Sequence, residues 1–308
     1  MTGRGPARTP ERLRKLGAID RRLIFLLVFL GALIPILHPL GLGVQISPPV
    51  RAVFQSIDRL APGDAIVLSF DYGPSDGPEL DPMANAILRH CVKKGVRVIG
   101  ISLYSLGGVD MARARFRQLV SDMHARPGID FVNLGYKDGA QAAMRAMGLE
   151  FPSVFPRDVN NTPYEEIPAA RGIRNFADCK LAVTLCTSII GQHWVNLVNA
   201  QFRIPLALGA TAVSAPKYYA YVEAGQAIGV IGGMKGASEY EELLAKADPD
   251  LGGLTRTATV GMDVQSIVHL IVIALIVLGN VAFLASRRGR MRGDGPTQSA
   301  PPTSGGKP

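Results

Sequence analysis

Residues 64–247 alternate short apolar runs with amphipathic stretches, and two long uncharged segments bracket them. These observations predict an α/β fold: a Rossmann-like, doubly wound, mostly parallel five-stranded sheet, flanked by one transmembrane helix at each end. The first uncharged segment, 23–44, follows Arg21 and Arg22, and the second, 264–286, stops at Arg287 and Arg288. Each holds about 20 residues or more, the length a helix needs to cross roughly 30 Å of hydrocarbon. The first is read as an uncleaved anchor, because no small-x-small cleavage site follows its apolar stretch.

The first strand, 64–70, is almost continuously apolar, as expected of a parallel strand covered on both faces. A loop rich in turn residues, 71–77, leads to a helix with Asp81 as N-cap, Pro82 at its first position and Gly95 just past its end. Ala84, Ile87, Leu88 and Cys91 form its buried stripe. Residues 96–103 are the second strand. Asp110 then caps a helix with Ala112, Phe116, Leu119, Val120 and Met123 on one face. The third strand, 130–134, leads into a short helix stopped by Gly148. Residues 150–178, rich in Pro, Asn and charge, predict an irregular excursion around the sheet edge or over its mouth. Strands at 180–187 and 204–208 follow, separated by a helix carrying Trp194. A long helical region is expected over 215–246.

Seven segments result: a basic cytoplasmic tail (1–22), the first span (23–44), a membrane-proximal amphipathic helix (45–63), the extracytoplasmic domain (64–247), a linker (248–263), the second span (264–286) and a disordered basic tail (287–308). Val50, Val53, Phe54, Ile57 and Leu60 give the amphipathic helix its apolar face, for the domain or for the membrane surface.

The net charge of +8 is a topology signal. Residues 1–22 hold seven basic residues against two acidic, and 287–308 hold five against one, so the rest of the chain is at −1. Basic segments abutting a span stay cytoplasmic, which puts both termini inside and the central domain outside the cell membrane. Nucleic acid is therefore excluded as the partner of the basic residues. The expected partners are the cytoplasmic membrane and either a second copy or a membrane protein.

No dinucleotide fingerprint, Walker motif or Gly-x-Ser-x-Gly is present, and His90, His124 and His193 are dispersed, so the sequence names neither cofactor nor metal. Doubly wound sheets bind ligands outside the carboxyl ends of their strands. Here those ends carry Asp71, Tyr72 and Ser75, then Tyr104, then Tyr136 and Lys137, then Thr187, and finally Thr211. Lys137-Asp138-Gly139 at a helix start has the makings of an anion cradle. Asp71, with Glu79 or Asp81, is the candidate acid/base pair or divalent-cation site of a membrane-bound hydrolase. Turn and cap chemistry accounts for the same residue types without a ligand. The leading reading is a binding or assembly module that recognises a small ligand or a protein.

Gly225, Gly229 and Gly233 recur every four residues in the expected helical region. On one helix face they would admit close helix packing, within the domain or with a second copy.

Overall fold

A computed structural model describes residues 20–254 and 256–293. Most of the basic tails, 1–19 and 294–308, lies outside these residues. The chain divides into two compact units, residues 40–263 and the segments before and after them.

The outer unit contains helices α1 (Arg21–Leu37) and α9 (Thr257–Gly293), the latter beginning inside the domain. Asp20 caps α1, its carboxylate accepting from Arg22 N at 2.9 Å. The helix ends before the predicted 44 because the residue preceding Pro39 is pushed out of the helical region. At 17 residues it rises about 25 Å, below the hydrocarbon thickness. Among the described residues one helix, Thr257–Leu284, is long and apolar enough to cross a membrane, where two were expected. Gly31 of α1 sits against Ile271 of α9, so a side chain there would have to displace the tip of Ile271. Large apolar side chains stay exposed on both helices, Phe25, Phe29, Leu270 and Phe283 among them.

The domain is built on one parallel sheet of strands β1 (Ala65–Asp71), β2 (Arg97–Ser102), β3 (Phe131–Tyr136), β4 (Leu181–Cys186), β5 (Leu206–Ala210) and β6 (Gly229–Gly232). The order is β3-β2-β1-β4-β5-β6. Every residue of β1 is buried, which accounts for its unbroken apolar run. Helices α2 (Pro48–Asp58), α3 (Gly77–Lys93), α4 (Gly108–Met123) and α8 (Gly233–Ala247) supply the apolar core on one face. On the other lie α5 (Ala140–Leu149), α6 and α7 (Pro216–Glu223). The helix α6 runs as Ile190–His193, a π-helical segment Trp194–Asn199, and Ala200–Phe202.

Two local expectations change. The sheet has six strands, because the region read as one helix over 215–246 is α7, β6 and α8. Gly225 follows α7 at φ +71°, Gly229 opens β6, and Gly233 turns into α8 at φ +59°. The three glycines therefore share no helix face. Second, α3 starts at Gly77 with Asp76 in the cap position, so Asp81 and Pro82 lie inside it. Gly107, not Asp110, stands at the cap of α4. As expected, residues 150–178 wrap the sheet edge: Val159 N donates to Asn133 O of β3 at 3.0 Å. Phe151, Phe155, Tyr164 and Phe176 bury beneath the excursion, and its cover protects an edge strand.

The amphipathic helix, α2, packs on the domain, with Val50, Val53, Phe54 and Ile57 buried. Phe54 stacks on His90 of α3 (ring centroids 4.6 Å), whose Nδ1 lies 2.8 Å from the Tyr240 hydroxyl of α8. Burial lowers the His90 pKa to about 4, against the opposing pull of Asp58. Unfolding returns the ring to its ordinary value of 6.5. The unfolded chain then binds the extra proton, so the contribution is complete above 6.5 and is lost as pH falls through 4. We expect the unfolding free energy to drop by about 3 kcal/mol from this group between pH 7 and pH 4. Denaturation of wild type and His90→Gln at both pH values checks this; an equally steep loss in the variant would place the titration elsewhere.

Candidate functional site

The strand order reverses between β1 and β4, and Asp71 ends β1 at that reversal. Its side chain is fully buried. Oδ1 accepts from Leu103 N at 2.8 Å, and Oδ2 from Thr184 Oγ1 and Trp194 Nε1, both at 2.9 Å. Asp71 thus ties together the end of β2, the inside of β4 and the π-helical segment of α6. Burial raises its pKa above the ordinary 3.8, and the Ser69 hydroxyl together with the bonds from Leu103, Thr184 and Trp194 offsets only part of that. A carboxylate engaged by three internal donors and closed to solvent is a structural hub. Each of its oxygens already accepts an internal hydrogen bond.

The neighbouring carboxylates are engaged too. Glu79 accepts from Ala212 N at 2.7 Å, joining the start of α3 to the loop after β5. Asp81 accepts from the buried Tyr72 hydroxyl at 2.7 Å and lies 3.7 Å from Arg115 of α4. Asp71, Glu79 and Asp81 are thus turned to three different sets of partners. Among the described residues, no cluster of three or more His, Cys, Asp or Glu side chains could hold a metal ion.

The other sequence candidates fall along one carboxyl edge. Thr187 N donates to Asp71 O at 3.2 Å, so the loops after β1 and β4 touch at the reversal. A Cβ on Gly73 would stand 3.3 Å from the Tyr104 ring, which sets the loop after β2 against the loop after β1. Tyr136 donates to Asp138 Oδ1 at 2.9 Å. Ser75 and Lys137 are exposed, whereas Tyr104, Tyr136, Thr187 and Thr211 are half-buried. The anion cradle at 137–139 is filled by the chain itself. The Gly139 amide and the Tyr136 hydroxyl both bond Asp138 and hold its pKa below the ordinary value.

Cysteine chemistry does not compete. Cys91, Cys179 and Cys186 are free and buried. Burial pushes the Cys186 thiol up to about 12, and its sulfur contacts the Tyr218 hydroxyl at 3.6 Å, while His193 turns to Gln141.

The edge also exposes large apolar side chains: Leu106 after β2 (70 %), Ile189 after β4 (57 %) and Val213 after β5 (92 %). Sequence reasoning missed these, because isolated apolar residues in loops carry no periodic signal. It also missed Thr184 and Trp194, whose link to Asp71 spans more than a hundred residues.

No family model, curated protein or solved structure matches the chain.

Proposed function

We propose that the protein is a membrane-tethered, extracytoplasmic binding and assembly module that recognises a partner through the carboxyl edge of its sheet. The observation that carries this reading is the reversal between β1 and β4, the place where doubly wound sheets form a binding crevice. The loops there present Leu106, Ile189 and Val213 to solvent, while the nearby carboxylates are engaged in holding the fold. Exposed apolar groups beside half-buried tyrosines suit a protein or amphiphilic partner better than acid/base chemistry.

In this reading α1 and α9 both sit in the cytoplasmic membrane, with both chain ends inside and the domain outside. The apolar surface of both helices supports it, as do the arginines at their terminal ends. A 17-residue helix is at the short end of what spans, and the bilayer accommodates it by thinning.

One labelling experiment tests both parts. Val213→Cys reports on the carboxyl edge, and Leu149→Cys, 77 % exposed at the end of α5, is the control. The native thiols are buried and stay silent. A membrane-impermeant maleimide applied to intact cells is expected to label position 149 rapidly and position 213 slowly, the difference vanishing after purification in detergent. Labelling only after cell lysis would reverse the topology, and equal rates at both positions in cells would remove the partner from this edge.

A further inference from the structure

Between the outer faces of α3 and α4 lies a cavity of about 320 Å³. Its polar wall comes from Asp81 and Asn85 of α3, Arg115 and Gln118 of α4, and Thr257 at the start of α9. The hydrogen-bond directions in this wall are fixed by Arg115, which has donors only. Its Nη1 donates to Gln118 Oε1 at 3.0 Å, so the Gln118 amide nitrogen is the free end of that side chain. The same oxygen accepts from Asn85 Nδ2 at 3.2 Å, which leaves the Asn85 carbonyl oxygen as its free end. Arg115 Nε is buried, closed to the cavity and without a partner among the described residues, so the guanidinium meets the cavity through its Nη groups.

One further acceptor comes from the backbone. Pro82 lies inside α3 and has no N–H, so the carbonyl of Pro78 lacks its helical donor, and both prolines border the cavity. The two walls are therefore complementary. On α3 stand acceptors: the Asn85 carbonyl, the Pro78 carbonyl and the Asp81 carboxylate, which also accepts from Tyr72 and faces Arg115 at 3.7 Å. On α4 stand donors: the Arg115 guanidinium and the Gln118 amide. A ligand matching both carries a cationic donor at one end and an anionic acceptor at the other. Phosphate-bearing ligands fit poorly, because Asp76, Glu79 and Asp81 crowd the start of α3 where a phosphate would otherwise be welcomed. The rings of Pro74, Pro78 and Pro82, four residues apart, add an apolar floor.

We infer that this cavity is a recognition site for a small zwitterion of the amino-acid type. Its ammonium group meets the acceptors of α3, and its carboxylate meets Arg115 and Gln118. Its polar groups stand on α3 and α4, with Pro74 and Gly77 joining it to the loop after β1, and the site holds whether or not the strand mouth carries a partner.

The test uses the full chain in detergent micelles, with each proteinogenic L-amino acid added singly at millimolar concentration as the probe. At least one is expected to raise the thermal midpoint by a few degrees. The α-amide and the N-acetyl derivative of that amino acid, each lacking one charge, should lose the shift. Arg115→Leu should lose it as well, whereas Tyr136→Phe at the strand edge should keep it. If no amino acid shifts the wild-type midpoint, or if the derivatives act as well as the parent, the inference is overturned. Because the derivatives are measured on the native chain, that outcome does not depend on how Arg115→Leu folds.

Discussion

Asp71→Ala is expected to unfold the domain or to lower its thermal midpoint by about 10 °C or more. The substitution removes the acceptor for Leu103 N–H, Thr184 O–H and Trp194 N–H, all inside the protein. A buried donor left without a partner costs about 1–3 kcal/mol, and three of them approach the 5–15 kcal/mol that typically separates folded from unfolded domains. Asp71→Asn keeps one oxygen and turns an amide group toward the remaining donors, so its loss should be intermediate. The carboxyl group's own titration has a definite sign. Its folded pKa lies above the unfolded 3.8, so the folded state binds the extra proton. Its contribution to stability is complete below 3.8 and declines as pH rises through the folded value. Asp71→Asn removes that decline. Thermal melts of the three proteins followed by circular dichroism give the ranking. A folded Asp71→Ala protein with an unchanged midpoint would make Asp71 a candidate functional carboxylate once more.

The same residue shows what could be read in the sequence and what could not. The run leading into Asp71 announced a buried parallel strand, because a strand covered on both faces has to be apolar at every position. The position of Asp71 at a carboxyl end followed directly. Its role did not, because its partners come from β4 and α6 and no local pattern joins them. Trp194 looked like one more apolar helix residue, yet the π-helical turn it opens carries its indole N–H to Asp71. Helix ends were misjudged by a few residues for a local reason. Asp76 and Asp81 each precede a proline-bearing stretch, and both patterns satisfy the rules for a helix start. The first apolar segment was read as longer than its helix because residues 38–44 lack charge. Their backbone does something else: Leu40, Gly41 and Leu42 donate N–H groups to the Asp263 carboxylate at 2.9–3.1 Å. Hydropathy reports what a segment can dissolve in, not where its helix stops. The glycine series misled because β6 is four residues long, too short for strand alternation to show, and glycines in a turn, a strand and a second turn happened to fall four apart.

Gly229→Leu should be the second severe lesion, and the reason differs from the one the four-residue spacing suggested. Gly229 opens β6 directly beneath α2. A Cβ there would overlap the Pro49 carbonyl oxygen and stand 2.9 Å from Val53 Cγ2. The first obstacle is backbone, so no rotamer change relieves it. Either β6 leaves the sheet or α2 lifts. Overpacking alone costs typically 1–3 kcal/mol, and lifting α2 also exposes Val50, Val53, Phe54 and Ile57, whose burial is worth about 1.5–3 kcal/mol each. The loss should therefore exceed that of any surface substitution and fall with Asp71→Ala. Gly225→Leu is a useful contrast. Gly225 has open space around it, and only its positive φ opposes a side chain, so about 1 kcal/mol is expected. Under the shared-helix-face reading the two substitutions would be similar and would weaken self-association together. The fold instead predicts a large gap between their thermal midpoints, and Gly225→Leu equal to Gly229→Leu would refute the assignment of β6.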